Sequence, residues 1–352
     1  MPSTTSLPRR PGNLLAGALP LAAALALAFA GGARAAPAPA PDPVAAAVDA
    51  AWEKYRGLDE GKNADYIPAL AKVDPKLFGI VLVTADGKVF QRGDVMAPFS
   101  IQSISKVFTL ASVLETSGPK AVLEKIGVDA TGQVFNSIVA IEQHRGREMN
   151  PFVNPGAIAT TSLVEGRTGE EKWTRILAIH EAFAGRKLAI DEEVYRSEAA
   201  TNERNQAIAK LMHAYGRLYF DPSTSTDVYT RQCSISVNTL DLAVMAATLA
   251  SQGRNPVTGK QVISPDNVPR ILAVMATAGL YDDSGIWLYE VGLPAKSGVG
   301  GGIIAVAPGR FGLAAFSPPL DIAGNSVRAQ KAIRDIATAL RANVFDPKAG
   351  KR

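Results

Sequence analysis

The chain has 352 residues, 47% of them hydrophobic, and carries 37 Lys and Arg against 33 Asp and Glu. The excess is N-terminal: Arg9, Arg10 and Arg34 precede the first acid, so residues 37 onward hold 34 basic and 33 acidic side chains, a net charge of +1. No Lys/Arg cluster able to track phosphates remains, which argues against a nucleic-acid partner and points to a small substrate; the single cysteine, Cys233, excludes an intrachain disulfide, and His144, His180 and His213 lack the spacing of metal ligands.

In chain order, Arg9-Arg10, the apolar stretch Leu14 to Ala30 and the small-residue site Ala33-Arg34-Ala35 read as a cleavable export signal over residues 1–36, so a periplasmic or secreted protein is expected. Seventeen apolar residues are short for a membrane span, and no later segment is a better candidate. Residues 37–44, alternating Ala and Pro, read as an extended linker, with folding expected to begin near Val44. Leu77 to Thr84, the turn Ala85-Asp86-Gly87 and Lys88 to Arg92 form a predicted β-hairpin.

Helical patterns follow, each with a glycine near its end: Ser103 to Thr116, Lys172 to Ala184, Glu203 to Tyr215, Thr239 to Gln252 and Ser264 to Ala278. Strands are expected again at Gly285 to Lys296, Ile303 to Ala307 and Phe311 to Ser317, and an amphipathic helix from about Ser326 to Asn343. Residues 45–100 and 280–347 thus build an α/β sheet subdomain and 101–279 an inserted helical one, with a cleft between them, where pockets favour forming.

Two motifs carry the chemistry. In Ser103-Ile104-Ser105-Lys106, Ser and Lys at i and i+3 share one helix face, and a desolvated lysine is one of few side chains able to deprotonate a serine at neutral pH. In Lys296-Ser297-Gly298, the glycines that follow let a strand end approach a ligand, so that the Val299 and Ser103 backbone N–H groups can face each other as an oxyanion hole. Cys233 has no histidine beside it and is read as a packed residue.

Further segments are too polar for ordinary core: Asp65-Tyr66-Ile67-Pro68, Phe135-Asn136-Ser137, Asn150 to Ile158, Ser197-Glu198 with Arg204-Asn205, Tyr229 to Ser234 and Gly279 to Asp282. With Gln102 to Lys106 and Gly292 to Val299, this order over residues 60–330 resembles the serine-dependent glutaminase family, of bacterial type with an added export signal. The resemblance implies an α/β (α+β) fold of the β-lactamase/transpeptidase type, an antiparallel sheet flanked by terminal helices with a large helical insertion. It implies hydrolysis of L-glutamine to L-glutamate and ammonia, no cofactor, and assembly as a homodimer or homotetramer.

Carried over by position, the resemblance makes Ser103 the nucleophile, Lys106 its base and Tyr229 an aid to proton transfer, with Ser103 and Val299 holding the oxyanion. Tyr66, Gln102, Asn154, Glu198, Asn205, Tyr229 and Tyr281 surround the substrate, and Lys296, Ser297 and Gly298 support the site. Lys296 is also the expected source of a positive field depressing the Lys106 pKa. One departure is Pro155, where the family usually has alanine; proline disfavours a helical residue before it and is expected to push Asn154 toward an extended backbone.

Two other readings compete. A penicillin-binding carboxypeptidase or β-lactamase shares the fold, and Ser236-Val237-Asn238 offers its S-x-N triplet, yet 133 residues after Ser103, about twice the usual spacing. A non-catalytic amino-acid-binding protein on the same scaffold would be expected to have lost Ser103, Lys106 or Tyr229, and all three are present.

Overall fold

The computed structural model describes residues 42–145 and 149–348; the expected export signal and residues 37–41 of the linker lie outside them. Asp42 caps the first helix, α1 (Pro43–Tyr55), its carboxylate accepting from the Val44 N–H at 2.8 Å. A short α2 (Pro68–Ala71) precedes the hairpin β1 (Gly79–Thr84) and β2 (Val89–Gly93), which pair in the register Val83 to Val89 and Gly79 to Gly93. After β3 (Phe99–Ser100), a 3₁₀ turn at Gln102–Ile104 leads into α3 (Ser105–Lys125), interrupted at Gly118 with φ of 78° ahead of Pro119.

The helical block continues with α4 (Ile138–His144), α5 (Asn154–Leu163) and α6 (Gly169–Ala184), then β4 (Ala189–Ile190), α7 (Glu192–Ala199), α8 (Glu203–Ala214) and α9 (Pro222–Cys233). Strand β5 (Ile235–Val237) leads into α10 (Thr239–Ala250), followed by α11 (Val268–Ala278) and α12 (Ser284–Glu290). The chain closes with β6 (Ala295–Ser297), β7 (Gly302–Ala307), β8 (Phe311–Phe316) and α13 (Val327–Ala339).

Five strands form an antiparallel sheet in the order β2-β1-β8-β7-β6, and a small sheet β3-β5-β4 lies within the helical part. Period-two alternation decides the faces of the large sheet. Val81, Val83, Ile304, Val306 and Ala314 face the cluster that contains α10, whereas Ile80, Leu82, Ile303, Ala305 and Leu313 pack with Val48 and Ala51 of α1 and Ile333 and Ile336 of α13. Helix α10 is apolar almost all round, as a helix buried between a sheet and other helices must be.

One element departs from expectation. Gly285 to Lys296 does not run as a strand: Ser284–Glu290 is helical and only Ala295–Ser297 pairs with β7. The helical period shows in the buried positions Ser284, Trp287 and Val291, spaced by three and four, while Ile286 and Tyr289 point to solvent. The Trp287 indole donates to the Leu293 carbonyl at 2.8 Å and fixes the helix against the strand that follows.

Gly156 shows how tightly the site loop is seated. A Cβ there would lie 1.9 Å from the Asn150 carbonyl oxygen, so α5 and the Asn150 loop touch backbone to backbone. Gly156→Ala should therefore cost about 2 kcal/mol, read as a lowered Tm in thermal unfolding; an unchanged Tm would show that the loop yields freely.

Candidate active site

Ser103 sits in the 3₁₀ turn ahead of α3, after Gln102, whose φ of 49° is a left-handed conformation rare for a non-glycine residue. Ser105 secures the turn: its hydroxyl donates to the Gln102 carbonyl at 2.7 Å. Strand β6 ends against this turn. A Cβ at Gly298 would stand 2.8 Å from the Ile101 carbonyl oxygen and 3.3 Å from the Ser103 nitrogen, so only glycine permits the approach that places Val299 beside Ser103.

Lys106 lies one turn further along the same face, 1% exposed. Its ammonium donates to the Phe152 carbonyl at 3.1 Å and to Asn154 Oδ1 at 2.8 Å, and stands 5.7 Å from the centroid of the Tyr229 ring. Among the described residues these two acceptors, not Ser103, take its hydrogen bonds. Burial lowers its pKa to about 8, with Cys233 and Glu198 opposing.

Asn154 is the junction of the site. Its Oδ1 also accepts from the Tyr229 hydroxyl at 3.1 Å, and its Nδ2 donates to Asn205 Oδ1 at 3.0 Å. The expected displacement by Pro155 does not occur: Asn154 is the first residue of α5, the extended residue is Val153, and Pro155 occupies a first-turn position whose N–H would have no intrahelical acceptor. Burial holds the Tyr229 phenol well above its ordinary pKa, so it is neutral at neutral pH and donates its hydroxyl to Asn154 Oδ1.

A cavity of about 260 Å³ opens beside Ser103, lined by Tyr66, Gln102, Asn154, Glu198, Asn205, Tyr229 and Val299, together with Ile67, Phe135, Asn136, Thr201, Asn202 and Arg204. Glu198, on α7, is buried, and burial raises its carboxyl pKa to about 7 although Gln102 Nε2 donates to it at 3.2 Å and Lys106 lies near. Tyr66, 54% exposed, stands at the rim.

Tyr281 is placed differently from the other substrate-shell residues. It is absent from that cavity's lining and instead walls a neighbouring cavity of about 440 Å³, with its ring 5.0 Å from that of Phe135. Its hydroxyl donates to the Ser297 carbonyl at 3.3 Å. Burial pushes the phenol up to about 12, while hydrogen bonding with Ser103 and Ser297 draws it back. The Tyr281 hydroxyl therefore lies between the nucleophile and the end of β6.

Lys296 is completely buried, donating to the Gly279 and Ser297 carbonyls at 2.9 and 2.7 Å, 4.4 Å from the Tyr281 ring centroid. The two buried ammonium groups act on each other, and burial is the first cause of the depression at both. Burial, and then the charge of Lys106, drive the Lys296 pKa well below its usual value. Ser297 Oγ donates to Asn325 Oδ1 at 2.6 Å, a support that no sequence motif announced.

The S-x-N triplet does not serve the site. Ser236 and Val237 pair with β3, and Asn238 caps α10 through a reciprocal pair of bonds with Asp241, each 2.9 Å. Cys233 is buried, its thiol pushed up to about 12, as suits a packed residue.

Comparison with known proteins matches this arrangement. The glutaminase family model covers residues 61–345. The glutaminase of Colwellia psychrerythraea strain 34H is 57% identical over 302 residues, 86% of this chain and 97% of that protein. Glutaminase 1 of Escherichia coli strain K12 is 54% identical over 299 residues, 85% and 96% of the two chains. A solved structure described as a probable glutaminase superposes with a TM-score of 0.85 at 53% identity, over 86% of this chain and 98% of that one. With the sheet, the helical insertion and the sequence matching together, the chain belongs to the glutaminase family, of β-lactamase-like fold.

Proposed function

We propose that this glutaminase, which hydrolyses L-glutamine to L-glutamate and ammonia, works through an acyl-enzyme on Ser103 with Lys106 as the base. The observation that carries this reading is the buried Lys106 ammonium, one helical turn after the serine, with a pKa depressed to about 8 and with Asn154 Oδ1 held between it and Tyr229. Ser103 Oγ attacks the side-chain amide carbon as its proton passes to Lys106. The tetrahedral oxyanion lies between the Ser103 and Val299 N–H groups; its collapse breaks the C–N bond, and the proton returns from Lys106 to the departing ammonia. A water molecule, deprotonated in turn by Lys106, attacks the ester and releases glutamate with the regenerated serine.

Tyr66, Gln102, Asn154, Glu198, Asn205, Tyr229 and Tyr281 then hold the amino-acid head, with Glu198 opposite the α-ammonium. A cation arriving beside Glu198 favours its charged form, so KM should rise as the pH falls through about 7 and the carboxylate is neutralised. Glu198→Gln should raise KM for glutamine tenfold or more, about the smaller effect of unpairing a buried charge, and leave turnover of glutaramate, which lacks the amine, near the parent value. Equal losses on both substrates would remove Glu198 from amine recognition.

The direct test of the reading is ammonia release from a panel of amides. Glutamine should be preferred over asparagine, which is one methylene too short to reach Ser103 from the head-group contacts; equal turnover of the two would contradict the assignment. We further propose that the sheet and the helical insertion act as two subdomains flanking the cleft, that residues 1–36 are an export signal, and that the protein assembles as a homodimer or homotetramer. N-terminal sequencing of protein from the producing cell should find a start near Ala36, with Met1 as the contrary result, and sedimentation equilibrium reads the assembly.

A further inference from the structure

Beneath the site lies a second polar layer, wholly buried, built on Gln232. Its Oε1 accepts from Thr109 Oγ1 of α3 at 2.9 Å and from Thr161 Oγ1 of α5 at 3.1 Å, a hydroxyl that also lies 3.0 Å from the Ala157 carbonyl. Its Nε2 reaches Ser105 Oγ at 3.4 Å, and Ser105 in turn donates to the Gln102 carbonyl. This one amide contacts both other helices of the site and the turn that carries the nucleophile.

The spacing ties the layer to the chemistry. Thr109 follows Lys106 by three residues, Gln232 follows Tyr229 by three, and Thr161 follows Asn154 by seven, so each lies on the face of its helix that bears the site residue, one or two turns below it. The two layers repeat one design. Above, Asn154 Oδ1 on α5 receives Lys106 from α3 and Tyr229 from α9; below, Gln232 Oε1 on α9 receives Thr109 from α3 and Thr161 from α5. Side-chain oxygens thus bridge all three helices twice.

We infer that Gln232 is a positioning residue for the reaction: by joining α3, α5 and α9 directly under Lys106, Asn154 and Tyr229, it sets their spacing and holds the Gln102–Ser105 turn that presents Ser103. It touches no substrate, and the inference rests on the Ser103–Lys106 reading. A buried amide accepting two hydroxyls fixes geometry more narrowly than apolar packing, because losing any partner leaves a buried polar atom unsatisfied. Misplacement of reacting groups by about 1 Å can lower a rate on the order of a hundredfold.

The test compares Gln232→Met, which keeps the volume and removes the polar ends, with the pair Thr109→Val and Thr109→Ser. In folded Gln232→Met protein, verified by near-UV circular dichroism, kcat should fall tenfold or more with KM for glutamine within about threefold, and the acidic limb of kcat/KM should shift. Thr109→Val should show the same pattern more weakly, and Thr109→Ser, which restores the hydroxyl, should return to parent kinetics. Parental kcat and pH profile in folded Gln232→Met would overturn the inference. If that variant does not fold, a parental kcat in Thr109→Val, or equal losses in Thr109→Val and Thr109→Ser, would overturn it. Lys106→Arg tests the underlying reading separately, since failure there leaves the Gln232 variants without a base to position.

Discussion

Ser103→Ala should reduce ammonia release from glutamine by about four orders of magnitude or more, the scale of removing a nucleophile, with no loss of folded protein. Ser103 contributes one small hydroxyl beside the cavity and little core volume. Ser105→Ala is the informative companion. Ser105 is on another face of the helix, but its hydroxyl closes the turn through the Gln102 carbonyl, so its loss should lower kcat on the order of tenfold by loosening that turn, not abolish it. Rapid steady-state assays on both variants, with thermal melts as the folding control, read the difference. Normal turnover in Ser103→Ala with a dead Ser105→Ala would reverse the assignment.

Lys106→Arg should be nearly inactive although it preserves a positive charge. Guanidinium does not deprotonate in the range where the enzyme works, and its planar fork cannot replace the ammonium between the Phe152 carbonyl and Asn154 Oδ1. The pH profile carries the same logic. A base whose pKa is depressed to about 8 is protonated, and idle, below that value, so kcat/KM should rise with pH through about 8. Protonation of Glu198 below about 7 adds a second loss on the acid side. A profile flat from pH 6 to 9, or a Lys106→Arg enzyme that keeps most of its kcat, would assign the base elsewhere.

Lys296 distinguishes two sources of the depression. Since burial is the leading cause of the low Lys106 pKa, replacing Lys296 should act mainly through the Gly279 and Ser297 carbonyls it holds and leave the midpoint of the profile near 8, whereas a midpoint moved well upward would make the charge of Lys296 the larger cause.

The site was legible in the sequence where chemistry demands residue types in a fixed order, and much less so where helices carry it. Ser103 and Lys106 could be read from their helical spacing, and the hairpin and the strands β7 and β8 from short apolar runs bounded by turns. The helices that deliver Asn154 and Tyr229 were not. Helix α5 begins Asn-Pro-Gly-Ala and is buried over almost its whole length, so it has no polar face to mark its period. Helix α9 begins Pro-Ser-Thr-Ser-Thr-Asp, residues that resemble a loop, yet Asp221 caps it and its hydroxyls turn back to helix carbonyls.

Long-range partnerships were the least accessible. Asn325 supports Ser297 from a loop 28 residues away, and Gln232 meets Ser105 across 127 residues of sequence. Neither pairing has a local signature, because it depends on which helix faces happen to meet. Tyr281 is held beside Ser103 and Ser297 with a φ of 51°, a backbone state that the sequence Gly-Leu-Tyr-Asp does not announce.

The central claim is that a covalent γ-glutamyl ester forms on Ser103. Rapid acid quench of the enzyme during turnover of saturating glutamine, followed by proteolysis and mass spectrometry, addresses it most directly. The account predicts one γ-glutamyl group on the peptide that contains Ser103, absent from Ser103→Ala; an adduct on Cys233 or Tyr229, or glutamate produced at full rate by the Ser103→Ala protein, would contradict it.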